Sequence, residues 1–193
     1  STLTASFFLD FTKTHGLLLI GYSILFFIAA ITRLKSARLF KEHYEPKLKL
    51  EEGYYFSIWQ FIKKIPKNNF GRFVIFVALF HFSVNLAGPF FAVYMLNELN
   101  FSLTTYTLVN IAASLFSLIS LPMWGKFSDK YGNRETAKIG LILIAAMPFL
   151  WVISPSPIFL MLVPQLVSGI GWAAFNLAVS NFIYDSVTPP RRG

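Results

Sequence analysis

Apolar residues fall in five long runs, separated by short polar or basic segments. A helix that crosses the hydrocarbon core of a bilayer needs about 20 mostly apolar residues. The runs that meet this need are Gly16 to Thr32, Phe73 to Leu96, Thr104 to Trp124, Ala137 to Ile153 and Ile158 to Tyr184. Between them, Asn97 to Ser102 is short and polar, and Ser154-Pro155-Ser156-Pro157 cannot continue a helix. The pattern predicts an all-α, polytopic transmembrane bundle with five spans.

Lys and Arg in the connectors orient such a bundle. The connector after the first span holds Arg33, Lys35, Arg38, Lys41, Lys47, Lys49, Lys63, Lys64, Lys67 and Arg72. The connector between the third and fourth holds Lys126, Lys130, Arg134 and Lys138, and the tail holds Arg191 and Arg192. With alternating spans these segments share one side, and of the 17 basic residues only Lys13 lies on the other. Lys47, Lys130 and Arg191 are therefore expected in the cytoplasm, with the connectors near Glu98 and Ser154 outside, in an integral protein of the plasma (inner) membrane. Asn100-Phe101-Ser102 has the form of an N-glycosylation acceptor on an outward connector. An ordinary polar turn explains it as well.

The connector from Ile31 to Gly71 is the one shift in composition. Its first half mixes Lys41, Glu42, Glu45, Lys47, Glu51 and Glu52. Then Tyr55, Ile58, Ile62 and Ile65 recur at helical spacing opposite Ser57, Gln60 and Lys64, with Trp59 and Phe61 flanking the stripe, until Pro66. This predicts a short amphipathic helix. It could lie at the headgroup level or join two halves of a larger protein.

Composition agrees with a lipid solvent. Apolar residues make up 55% of the chain, 22 residues are Phe and only 13% are charged, against about 25% in soluble domains. The chain has no cysteine, which excludes disulfide frameworks and thiolate metal sites. A pI near 9.8 raises the question of nucleic acid. The basic residues sit between apolar runs and not along a face with interleaved aromatics, so nucleic acid is not the expected partner. The chain opens on Ser1 with no signal-peptide pattern, as a fragment would.

The third connector reads Gly125-Lys126-Phe127-Ser128-Asp129-Lys130-Tyr131-Gly132-Asn133-Arg134. Its glycines suit a tight turn and close helix approach. Asp129 could sit on the positive end of another helix dipole, and Arg134 could hold a carboxylate in a forked pair. A charged connector that obeys the positive-inside rule is the plainer explanation. The whole stretch, lodged between two spans, resembles the signature loop of the major facilitator superfamily. The matching positions are Gly125, Ser128, Asp129, Lys130, Tyr131, Gly132 and Arg134. Phe127 stands where the family usually has Leu, and Asn133 and Glu135 stand where it prefers bases. These departures resemble the weaker copy that the family's second half carries.

The resemblance implies a twelve-helix solute transporter, of which residues 1–33 would hold helix six. Residues 34–69 would then be the inter-half connector, and residues 70–193 helices seven to ten. A competing registration makes the last four spans helices one to four. The tail from Asp185 to Gly193 resembles the family's link after helix ten. The other helices, including most of the first half, would be missing partners of this chain. On the family pattern Arg134 and Asp185 pair to hold one access state shut.

No Asp, Glu, Lys or Arg lies at the middle of a span, as expected where an ionised group costs about 2.5–3.5 kcal/mol. His81 and Asn85 are one helical turn apart in the second span. Gln165, Trp172 and Asn176 share a face of the fifth, and Asn110, Ser114 and Ser117 share a face of the third. Interhelical hydrogen bonding is the plain role for such residues. The resemblance turns His81, Asn85, Gln165, Trp172 and Asn176 toward a solute cavity. Gly88-Pro89 is expected to break its helix beside that cavity, and Pro148 and Pro164 to kink theirs. Gly169, Gly171, Ala173 and Ala174 allow close packing or bending of the fifth span.

The expected function is secondary transport of a small solute by alternating access, in contact with lipid and coupled to a proton or a sodium ion. No cofactor, metal or catalytic residue is expected. The alternatives are a polytopic membrane enzyme, such as a lipid-modifying transferase, and a non-transporting helical bundle. The enzyme would need clustered carboxylates or His at the membrane surface, and Asp129 and Glu135 have no His nearby.

Overall fold

A computed structural model of the chain describes residues 2–40, 59, 63, 69–153 and 156–186. The amphipathic stripe from Tyr55 to Pro66, apart from Trp59 and Lys63, lies outside the described residues, as do Lys47, Ser154, Pro155 and the tail from Val187. The described residues form helices α1 (Thr2–Thr14), α2 (Leu18–Phe40), α3 (Asn69–Val93), α4 (Leu103–Tyr131), α5 (Asn133–Val152), α6 (Pro157–Leu162) and α7 (Pro164–Ser186). A π-helical turn, Tyr94–Glu98, follows α3. Five stretches are long and apolar enough to span a membrane: Leu18–Phe40, Asn69–Glu98, Leu103–Tyr131, Asn133–Val152 and Pro157–Asp185. The protein is an all-α polytopic membrane protein, and each expected span has its helix.

Four local differences from the expected elements have identifiable causes. The first span starts after a separate helix, α1, which ends in a Schellman turn. Leu17 N–H donates to the Thr12 carbonyl at 2.8 Å, Gly16 N–H to that of Lys13 at 3.1 Å, and Gly16 supplies φ +72°. Gly88-Pro89 does not break α3: Pro89 lies inside the helix, as proline is tolerated in membrane spans where local widening of the ladder and side chains satisfy the freed backbone groups. The ladder widens one turn later, where Leu99 N–H reaches back five residues to Tyr94.

The stretch from Gly125 to Tyr131 is not a loop but the last two turns of α4. No breaker interrupts it until Gly132, whose φ of +88° turns the chain into α5 while its N–H caps the Ser128 carbonyl at 2.8 Å. Finally, the fifth span is divided at Val163, because Pro164 opens α7 and brings no N–H of its own. Pro148 stays inside α5.

By contact the chain divides into two units, Phe8–Val93 and Ser1–Phe7 with Tyr94–Gly193. In the first, α2 and α3 present Phe26, Phe27, Phe82, Leu86 and Phe90 outward, as lipid-facing or partner-seeking spans do. In the second, α7 packs against both α4 and α5. Half of its apolar span is buried within the protein.

Small residues permit this packing. A Cβ on Gly169 would lie 2.4 Å from the Ala113 carbonyl oxygen of α4. One on Gly140 of α5 would lie 2.8 Å from the Gly171 carbonyl oxygen of α7. Trp124, Ala173 and Ala174 form the centre of the core, with Phe127, Ile139 and Leu143 against them. The sequence-level reading of Gly169, Gly171, Ala173 and Ala174 as close-packing positions agrees with these contacts.

Candidate functional site

Two concave regions stand out among the described residues of the Tyr94–Gly193 unit. One is at the Gly132 turn. Asn133, the first residue of α5, is half-buried and faces α7. Its Oδ1 accepts from Ser128 Oγ at 2.5 Å and from Asn181 Nδ2 at 3.0 Å. Its Nδ2 donates to Asp185 Oδ2 at 3.4 Å. One amide thus ties together α4, α5 and α7.

Ser128, Asp129, Asn133, Asn181, Tyr184 and Asp185 line a recess of about 250 Å³. Lys130 lies over the Tyr131 ring, 5.0 Å from its centroid, and the Tyr131 ring is tilted against that of Phe127 with centroids 4.6 Å apart. Lys130 itself does not line the recess.

Of the signature residues, Ser128, Asp129 and Gly132 meet at this turn. Gly125 is one of the helical residues of α4, and a Cβ there would meet nothing within 4 Å. The expected pair of Arg134 with Asp185 is not formed. Arg134 is exposed, and among the described residues the ion pair seen on α5 is Lys138–Glu135 at 3.5 Å. One step along a helix turns the side chain by about 100°, so when Asn133 faces α7 its neighbour faces outward.

Asn181, Asn133 and Tyr184 are the site residues that the sequence reading missed. The signal for Asn181 was present: it stands one turn before Asp185 on the same face of α7.

The second region is a groove of about 440 Å³ lined by Ala113, Ser114, Ser117 and Leu118 of α4 and by Gly169 and Trp172 of α7. Gly169 brings the two backbones together at the groove floor. Trp172 stands at its wall with its ring edge-on to Phe175, centroids 6.0 Å apart. Asn176 is exposed one turn further along α7, whereas Gln165 is buried in the first turn of that helix. Asn110 sits one turn before Ser114, its amide bonded to the Tyr106 carbonyl at 2.8 Å.

In the other unit, His81 and Asn85 are both exposed on α3. The Asn85 amide donates to the His81 backbone carbonyl at 2.8 Å, so the pair is joined through the helix itself.

Comparison with known proteins gives a family for this arrangement. A lactose permease from Klebsiella pneumoniae is 33% identical over 108 residues, which cover 54% of this chain and 82% of that protein. No solved structure matches the chain at a significant level. Residues 73–193 match the sequence model described as Major Facilitator Superfamily. The match takes in the Gly132 turn, the α4–α7 groove and the three helices that build them. The chain belongs to the major facilitator superfamily of membrane transporters.

Proposed function

We propose that the chain is part of a secondary transporter that moves a small solute by alternating access. Its α2 corresponds to helix six, residues 34–69 to the inter-half connector, and α3, α4, α5 and the α6–α7 pair to helices seven to ten. The remaining helices, absent from this sequence, complete the cavity. Basic connectors support a cytoplasmic position for the Gly132 turn in an inner membrane.

The observation that carries the solute reading is the α4–α7 groove. It combines one aromatic wall, Trp172, with the hydroxyls of Ser114 and Ser117, and no charged side chain lines it. A concave, mostly apolar surface with a few polar groups is the usual form of a small-molecule site. Asn176 extends the same face of α7, and the family resemblance makes His81 and Asn85 of α3 further candidates for solute contact. Gln165 supports that face from within its buried first turn. A proton and a sodium ion are the coupling ions to test. Lactose, the solute in the name of the Klebsiella relative, is the first candidate substrate.

The experiment is uptake by the complete transporter in proteoliposomes under imposed proton or sodium gradients. Asn85→Ala, Trp172→Ala and Asn176→Ala are compared with Leu79→Ala, whose side chain faces outward from α3. Loss of uptake about tenfold in the first three, with Leu79→Ala near wild type, supports the reading. Equal uptake in all four assigns these residues to packing.

A further inference from the structure

We propose that Asn133 is the positioning residue of a latch built without an ion pair at the cytoplasmic ends of α4, α5 and α7, and that Arg134 takes no part in it. The latch rests on the transporter reading above and adds to it the residue that sets the relative position of three helix ends.

The argument starts from what the place requires. Position 133 meets two donors, Ser128 Oγ and Asn181 Nδ2, and one acceptor, Asp185 Oδ2. Only a side chain that both accepts and donates can serve all three. A carboxylate accepts but does not donate, and a guanidinium donates but does not accept. The amide of Asn133 does both, and both of its polar atoms are used. A base at this position, as the family prefers, would pair with Asp185 but leave the Ser128 hydroxyl, on a residue 6% exposed, without its acceptor.

The consequence is electrostatic. Asp129 and Asp185 both border the recess, and no basic side chain lines it. The latch fixes Asp185 on α7 without neutralising it. Its bonds are between neutral groups or from a neutral amide to a carboxylate, so salt has little to screen. An ionic latch at this exposed place would weaken as the Debye length falls from about 10 Å at 0.1 M to about 3 Å at 1 M.

The complete transporter in proteoliposomes provides the test, with an Asn176→Cys label reporting access from the cytoplasmic side by its maleimide reaction rate. Asn133→Asp keeps the acceptor for Ser128 and Asn181, loses the donor and sets two carboxylates together. It should change the labelling rate about five-fold or more at equal membrane level. Asn133→Asp with Asp185→Asn exchanges donor and acceptor at unchanged net charge. It should return the labelling rate to within about two-fold of wild type, as expected for residues in direct contact.

A double variant no better than Asn133→Asp overturns the latch. Should Asn133→Asp fail to accumulate, Asn133→Arg carries the test. Its labelling rate should become salt-dependent between about 0.1 and 1 M, while the wild-type rate stays constant. A salt-dependent wild type, or an indifferent Asn133→Arg, overturns the proposal. A merely structural role would move melting temperature and membrane level and leave this access partition alone. Labelling is read without solute, so an absence of uptake would count against the transporter reading and leave the latch to be decided by its own measurement.

Discussion

Trp124 Nε1 of α4 donates to the backbone carbonyl of Ile170 in α7 at 3.0 Å. The indole is 5% exposed, and it brings the residues around Gly169 and Gly171 into register with α4. One side chain thus supplies both ring packing and a directional bond across the helix pair.

The two contributions separate by substitution. Trp124→Phe removes the donor and keeps an aromatic ring, and should destabilise the protein by about 0.6–1 kcal/mol. Trp124→Ala removes the ring as well and should cost about 3–5 kcal/mol. Unfolding in detergent micelles, followed by denaturant titration, measures both. Equal losses would mean that the hydrogen bond carries the whole effect and the ring none.

Glycines in this protein differ in what surrounds them, and alanine scanning should rank them accordingly. Gly169→Ala puts a methyl 2.4 Å from the Ala113 carbonyl oxygen and 2.8 Å from Phe116 Cβ. Overpacking of this kind costs about 1–3 kcal/mol. Gly125→Ala meets nothing within 4 Å, and in a helix interior it should be neutral or stabilising by up to about 1 kcal/mol. The melting temperature of Gly169→Ala should fall below that of the wild type, and that of Gly125→Ala should match or exceed it. A larger loss for Gly125→Ala would contradict the packing described for α4 and α7.

The five spans were legible in the sequence because their signal, length of apolar run against bilayer thickness, does not depend on tertiary contacts. The breaks within helices were less so. Pro89 and Pro164 look alike as letters, yet α3 runs through Pro89 while α7 begins at Pro164. The difference lies in whether the surrounding backbone can stay helical with one donor missing.

The candidate site was half legible. Gly132, Asp129 and Asp185 stood out by type and position. Asn133 stood out only as a departure from a pattern, since its role comes from reaching Asn181, which is 48 residues away. Arg134 illustrates the converse: charge made it conspicuous, and the helix phase turned it away from Asp185.

Orientation is open to direct measurement. Asn100 is exposed beyond the π-helical turn with φ +53°, and Lys130 is exposed near the Gly132 turn. Membrane-impermeant maleimide added to whole cells should label Asn100→Cys and leave Lys130→Cys unlabelled until the membrane is opened. The opposite pattern would invert the topology.

A charge exchange tests the absence of an Arg134–Asp185 pair. Arg134 makes no ion pair with Asp185, whose carboxylate is held by Asn133. Arg134→Asp combined with Asp185→Arg should therefore transport no better than the worse single variant. Coupling between the two positions should stay within about 0.5 kcal/mol, the scatter seen for independent sites. Recovery toward wild type would show that the two residues meet in another access state.

The contact between Gly140 and Gly171 has a mechanical consequence. A Cβ on Gly140 would stand 2.8 Å from one main-chain atom of α7, the Gly171 oxygen, and 2.9 Å from another, the Phe175 nitrogen. Side chains give way by changing rotamer, but main chains in contact have no such slack. At this point the approach of α5 and α7 is limited by main-chain atoms, so a larger side chain at position 140 is accommodated only by moving one helix away from the other.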